Sequence, residues 1–215
     1  MKKVFVIFMI FTSFVQAQAP SQSADLESTL HTNKWVINAQ LFGVGPVHRI
    51  WSQGITAGYY INPFQLIQLE IMTGNRLMID ANGSGRESAT FTAVGGHLKH
   101  LIGRSLYVKG GLDFTQVNYN YAYARSNTND DFGFIGNATE LTLAFGNQWR
   151  VFANGVVGFD WLGISLPITS NVRSDFVSSS VSNQTSSRSE LEDAETYYLK
   201  RQTINLVRFY AGFTW

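Results

Sequence analysis

Residues 203–215 read Thr-Ile-Asn-Leu-Val-Arg-Phe-Tyr-Ala-Gly-Phe-Thr-Trp, and no other stretch restricts the fold as much. In an extended chain Val207, Phe209, Ala211, Phe213 and Trp215 fall on one face, and Arg208, Tyr210, Gly212 and Thr214 on the other. That two-residue period belongs to a β-strand. A face carrying two Phe and a final Trp needs apolar cover. Either a protein core supplies the cover, or a bilayer does, with the last aromatic at the lipid–water boundary. The sheet this strand completes must therefore be apolar on one side and polar on the other.

The beginning of the chain has a different logic. Lys2 and Lys3 precede an apolar run, Val4–Val15, followed by Gln16-Ala17-Gln18-Ala19-Pro20. A basic start, a short apolar stretch and small residues at the cut make a secretory signal peptide over residues 1–17. Ala17-Gln18-Ala19 also fits the small-x-small rule, but a cut there would put Pro20 directly after it. The run is too short to span the ~30 Å hydrocarbon core comfortably. Residues 18–33 are polar and read as a periplasmic lead to a barrel over 34–215. No later run approaches the roughly 18 apolar residues of a transmembrane helix.

Composition points the same way. Charged residues are 14% and aromatics 14% of the chain, whereas an ordinary soluble domain is about a quarter charged. There is no cysteine, which removes disulfides, thiolate metal sites and cysteine catalysis together. The formal charge of +1 falls further without Lys2 and Lys3, so nucleic acid is not an expected partner.

Alternation predicts eight strands: about Trp35–Val44, Trp51–Ile61, Gln65–Gly74, Ala89–Leu101, Leu106–Phe114, Ala138–Arg150, Val156–Leu166 and Tyr197–Trp215. The fifth can extend as a ribbon through Tyr119–Tyr123, and the phase of the fourth is ambiguous near Phe91. Polar segments Asn75–Ser88, Arg125–Asn137 and Thr169–Glu195 read as long loops. Turns near Pro63, Gly103 and Asn154 are short. An even strand count with short turns on one side and long loops on the other predicts an all-β, eight-stranded antiparallel up-and-down transmembrane β-barrel. In lipid an open sheet edge is too costly to persist, so the first and last strands must pair.

A water-soluble barrel with an apolar bore is the rival, since alternation alone does not say which face is inside. Glu70, Lys99, Lys109, Asp113, Glu140, Asp160 and Arg208 all lie opposite the apolar stripe. A dry ligand-binding bore would not take seven charges, whereas a lipid-embedded barrel would place them within. Asp160 with Arg208, and Glu70 with Lys99 or His97, fall on adjacent strands at similar height. They read either as a polar conduit or as an ion-pair network filling the bore. Eight strands leave an interior about as wide as the side chains themselves, which favours the network. Trp35, Trp149 and Trp215 are expected at the periplasmic membrane interface.

Other features are weaker. His31, His48, His97 and His100 are the four histidines, and none stands in a spacing that places a base beside a nucleophile. His48 with Asp80 or Ser84 could meet only through loop geometry. No catalytic residue, cofactor or metal ligand is assigned, and the chain is expected not to be an enzyme. Arg76, Arg86, Arg125, Arg173 and Arg188 could meet lipopolysaccharide phosphates or simply be surface charge. Tyr119, Tyr121 and Tyr123 suit an outer ribbon or an aromatic girdle.

The terminal strand and the strand–turn series resemble small eight-stranded bacterial outer-membrane β-barrel proteins, of the OmpX and OmpA membrane-domain type. The resemblance covers nearly everything after the signal peptide. It implies an integral protein of the bacterial outer membrane, surrounded by membrane lipid and lipopolysaccharide. It also implies that Phe209, Phe213 and Trp215 form the segment read by the barrel-assembly machinery. The role expected is structural, or surface interaction through the outer loops. A narrow channel for small or apolar solutes, as in OmpW-type barrels, is the alternative, and a lipid A-modifying enzyme is a third reading.

Overall fold

A computed structural model describes residues 34–44, 51–79, 85–103, 105–123, 131–151, 154–177 and 184–215. The segments expected as signal peptide and lead lie outside the described residues, as do His31, His48, Asp80 and Ser84. The strands are β1 (Trp35–Val44), β2 (Trp51–Asn62), β3 (Gln65–Ile79), β4 (Gly85–Ile102), β5 (Leu106–Tyr123), β6 (Asp131–Val151), β7 (Gly155–Val177), β8 (Thr203–Asn205) and β9 (Val207–Thr214). From β1 to β7 each pairs antiparallel with the next, β7 pairs with both β8 and β9, and β9 returns to β1. The interrupted pair β8–β9 is the eighth stave. The ring closes with Ile37 opposite Phe213 and Ala39 opposite Ala211. Trp35 and Trp215 exchange both backbone hydrogen bonds at 3.0 Å. An eight-stave antiparallel barrel results, with every wall strand paired on both sides across the lipid-facing zone.

Side-chain direction changes its meaning part-way along the longer strands. Near the short turns Ile67, Leu69 and Ile71 of β3, Val94 and Leu98 of β4, and Leu112 and Phe114 of β5 are exposed, while Gln68, Glu70, His97, Lys99 and Asp113 are buried within. Toward the loops the pattern inverts. Phe91, Val117, Tyr119, Phe132 and Phe134 are buried, and Thr90, Thr92, Gln116 and Asn118 face out. The switch falls on one row of register partners, Gln53, Thr73, Thr92, Gln116, Asn137 and Asn171, running from β2 to β7. Just below it Ile55, Ile71, Val94 and Phe114 are partnered and exposed. A wall against lipid turns its apolar side outward, and a wall against water does the reverse. The row therefore marks where β2 to β7 leave the bilayer. The stretch Leu106–Phe114 of β5 below it has the length of the ~9–11-residue crossing that a tilted strand makes.

The inversion carries several strands past their expected ends. β3 continues to Ile79, β4 starts at Gly85 and β6 starts at Asp131, while β5 runs to Tyr123 as the ribbon extension of the fifth strand. Within the segments expected as loops, the described residues 75–79, 85–88 and 131–137 are thus strand. β7 continues to Val177, so Pro167, just past the expected end at Leu166, lies inside it. Pro167 faces Glu140 where the register shifts between Thr139 and Glu140. It also lies just past Ser165, the last β7 residue paired to β8. The ladder is interrupted there, so a residue without an N–H is tolerated. A second shift, between Phe145 and Gly146, turns both Trp161 and Leu162 outward.

The segment Thr169–Glu195 differs most from its reading as a loop. After β7 the chain forms an α-helix, α1 (Gln184–Glu195), which runs on as a π-helical turn, Thr196–Lys200. Tyr197 lies in that turn, and the last stave begins only at Thr203. Leu191, Tyr198 and Leu199 are buried against Phe91, Val117, Tyr119, Phe132, Phe134 and Ala138. The helical segment is thus a plug seated in the loop-side mouth of the barrel.

Candidate functional site: the barrel lumen

Strand phase directs Glu70, Lys99, Lys109, Asp113, Glu140, Asp160 and Arg208 inward, and all seven are buried in the lumen together with His97. At the centre two cations alternate with two carboxylates. Lys109 Nζ donates to Glu70 Oε2 at 3.2 Å and to Asp160 Oδ2 at 3.1 Å. Arg208 donates to Glu70 Oε1 at 2.8 Å, and its guanidinium lies 3.9 Å from Asp160. Asp160 and Arg208 are register partners, as their spacing in sequence predicts. Tyr107 donates to Asp160 as well. In a low-dielectric bore such charges persist only as a paired set, because each unpaired ion would cost several kcal/mol.

The pairing of Glu70 with Lys99 does not form. Glu70 stands opposite Gly95 and Lys99 opposite Leu66, two inward positions nearer the short turns. Lys99 Nζ instead donates to Gln148 Oε1 at 3.1 Å and Tyr210 Oη at 3.0 Å. It also lies 4.1 Å from the centre of the Tyr107 ring and 4.6 Å from that of Tyr210, both within cation–π range. His97, the other partner considered for Glu70, bridges two acids: Nδ1 is 3.6 Å from Glu70 Oε2 and Nε2 is 3.1 Å from Asp113 Oδ1. Space for this ring comes from Gly111, its register partner, where a Cβ would overlap the imidazole. Thr142 donates to Asp113 and lies 3.2 Å from Ser165 Oγ, and Thr115 donates to Glu140 at 3.2 Å.

Apolar layers close this polar core at both ends. Toward the short turns Val36, Tyr60, Leu66, Leu101, Tyr107, Val156 and Tyr210 form one cluster. Toward the loops the plug and its aromatic seat form the other. Leu199 fits because Gly136 has no side chain, since a Cβ there would come within 2.5 Å of Leu199 Cδ1. Tyr198 donates to Glu87. Between the layers a cavity of about 20 Å³ borders Asn38, Gln68, Glu70, Lys109 and Arg208. That is room for about one water and no hydrated ion. His97 stands beside Asp113 in this buried set, and Thr142 lies between Asp113 and Ser165.

Outside, the aromatic residues frame the wall. Trp35, Trp149 and Trp215 are exposed at the short-turn end. Trp35 meets Tyr59 edge-on at 4.9 Å, and Trp149 meets Phe159 at 6.2 Å. Trp161 joins them, stacked on Phe159 at 5.6 Å and donating to Asn147 Oδ1 at 2.6 Å; its outward turn depends on the bulge, which alternation does not reveal. Phe213, 66% exposed, points to lipid, and Phe209 lies on the outer face between Phe42 and Phe159, at 6.0 and 4.8 Å. Tyr119 is not part of an outer girdle: it is buried inside, stacked on Phe134 at 5.3 Å. Arg86, Arg173 and Arg188 are exposed, whereas the side chains of Arg76 and Arg125 lie outside the described residues.

No family model matches the sequence, and no curated protein matches it. Among solved structures, a major outer membrane protein from Thermus thermophilus is similar, with a TM-score of 0.51 at 12% identity over 86% of this chain and 100% of that one. Ail, the attachment invasion locus protein of Yersinia pestis, gives 0.45 at 10% identity over 85% of this chain and 97% of that one. CarO2 of Acinetobacter baumannii gives 0.45 at 12% identity over 85% and 99%. With lipid-facing residues outside, ion pairs within and all staves joined in a ring, the chain has the fold of the bacterial outer-membrane β-barrel proteins.

Proposed function

We propose that this integral outer-membrane barrel conducts nothing and acts through the surface it raises beyond the bilayer. The packed lumen carries this reading, because among the described residues the charge network borders a cavity with room for about one water and lies between two apolar clusters. Inward charges then serve to lock the staves together. What remains available to partners is the loop-side half of β3–β7 and the plug that covers its mouth. Membrane lipid and lipopolysaccharide surround the belt, and Phe209, Phe213 and Trp215 serve as the segment that the assembly machinery reads. The chain has no enzymatic role in this reading, and lipid A should have the same mass in cells with and without the protein.

Single-channel recording in planar bilayers tests the proposal. Folded protein should give no steady openings. Steady openings abolished by Asp160→Asn or Arg208→Gln would overturn it in favour of the channel.

A further inference from the structure

The last stave is divided at one residue. β9 is laddered to β1 along one side and to β7 along the other. β8 pairs with β7 through Thr203, Ile204 and Asn205 and, among the described residues, with no second strand. The register against β7 is the same above and below the division, since Asn205 faces Gly163 and Arg208 faces Asp160. Between these two rungs the ladder lapses. Leu206 belongs to no strand, and among the described residues neither Leu206 nor Trp161 has a register partner on either side. Both side chains are exposed on the outer surface.

The two sides of the lapse are held very differently. Below it Asp160 stands opposite Arg208 and accepts from Lys109 and Tyr107, so the charge network fixes this level from inside. Tyr107 also reaches the Phe159 carbonyl, 3.2 Å away. Above it the side-chain nitrogen of Asn205 is buried with no hydrogen-bond partner among the described residues. Arg201 and Gln202 alone separate β8 from the π-helical turn, whose Tyr198 and Leu199 occupy the aromatic seat. Two residues span at most about 7 Å. Arg201 is already extended, with φ −87° and ψ 142°, so this link has little slack to give.

We propose that α1, the π-helical turn and β8 are one lid, hinged at Leu206 beside Trp161, and that the aromatic seat is uncovered when β8 leaves β7. A hinge is a short element-terminal stretch that absorbs the backbone rotation while the bodies on either side keep their shape. Leu206 meets that description, with a doubly laddered strand on one side and a singly laddered one on the other. The plug cannot rise far from its seat without pulling on Thr203, because the link is short and extended. Release of β8 breaks a three-residue ladder and lets water reach the amide of Asn205, which offsets part of the loss. The lid therefore opens at the low end of local stability, whereas β9 opens with the barrel.

Hydrogen exchange of the full chain in phosphatidylglycerol nanodiscs tests this, with heat-modifiable gel mobility confirming a folded barrel in each sample. Leu199→Asp, which unseats the plug, should speed exchange of β8 roughly tenfold or more, by the same factor as residues 184–200, and leave residues 207–215 unchanged. Faster exchange of the plug with β8 unaffected would overturn the proposal, by showing that the plug moves alone. Acceleration that spreads into residues 207–215 would also overturn it, because the whole stave would then open and Leu206 would be no hinge. A second variant avoids disturbing the seat. Ile164 and Ile204 are register partners, and the chain has no cysteine, so Ile164→Cys/Ile204→Cys can be oxidised to staple β8 to β7. Plug amides should exchange roughly tenfold or more slowly in the oxidised form than in the same protein reduced. Equal plug exchange in the two forms would overturn the proposal.

Discussion

Glu70 and Arg208 meet at 2.8 Å across the lumen, although β2 and β1 stand between their strands in the wall. Lys109 reaches Asp160 at 3.1 Å in the same way, with β6 between. These bonds run through the inside of the ring, independent of the ladders, and tie four staves at one level. Glu70→Gln leaves Arg208 and Lys109 short of an acid in a dry bore, a change expected to cost roughly 3–5 kcal/mol. The double variant Glu70→Leu/Arg208→Met removes both charges of the pair and should recover much of that loss. Urea unfolding from lipid vesicles compares the unaltered protein with Glu70→Gln, Glu70→Leu, Arg208→Met and the double variant. A double variant as unstable as the sum of the two singles would show that the pair does not act as a unit.

The same chain should tolerate charge very differently on either side of its boundary row. Leu112, outward on β5 and 52% exposed, lies in the lipid zone, and Gln116 lies two outward positions further along. Leu112→Arg is expected to destabilise by about 2–4 kcal/mol, and Gln116→Arg by about 0–1 kcal/mol. Unfolding midpoints in vesicles compare the two directly. Equal, small effects would mean that water and not lipid wets Leu112.

How far these features were legible depends on the phase of each strand. In the lipid zone alternation is strict, so inward residues such as Asp160 and Arg208 follow from parity alone. Parity does not say which inward groups meet, and Lys99 finds tyrosines rather than Glu70 because it lies two inward positions from that acid. Beyond the boundary row the apolar side moves inside. A reading that follows a single phase therefore stops at Gly74 on the third strand, and Phe91 looks ambiguous where it is in fact the inverted pattern, whereas the tyrosine run 119–123 lets the fifth strand be extended. α1 escapes for another reason: its described side chains include one buried apolar residue, Leu191, too few to show a helical stripe. The seat that holds it, Gly136 and the aromatics of β4–β6, is distant in sequence.

The plug can be followed with an introduced thiol, since the chain has no cysteine of its own. Val117 lies buried beneath the plug beside Tyr119 and Phe132. Val117→Cys should react slowly with a water-soluble thiol reagent in the otherwise unaltered protein. Adding Leu199→Asp puts a carboxylate into that apolar seat and should accelerate labelling roughly tenfold or more, the equivalent of ~1.4 kcal/mol of lost docking. Conductance should stay absent in the variant, because the layer of Tyr60, Leu66 and Tyr107 still closes the other end. Labelling at the same rate with and without Leu199→Asp would mean that the helix does not seal the mouth.

Docking of the plug should also tighten on mild acidification. Glu195 ends α1, and partial burial, followed by the nearby Asp175 carboxylate, raises its pKa above the ordinary carboxylate value. The docked form therefore holds the Glu195 proton at a pH where the undocked form has released it. Docking is strongest below the ordinary carboxylate pKa and weakens as pH rises through the raised one. Glu195 remains mostly solvated, so the effect is modest. With Val117→Cys as reporter, labelling should slow between about pH 7 and about pH 4, after correction for the intrinsic reactivity of a free thiol. Glu195→Gln should flatten that dependence and hold docking near its acidic level throughout. Faster corrected labelling at the lower pH would contradict the assignment, because it would require Glu195 to favour docking in its charged form.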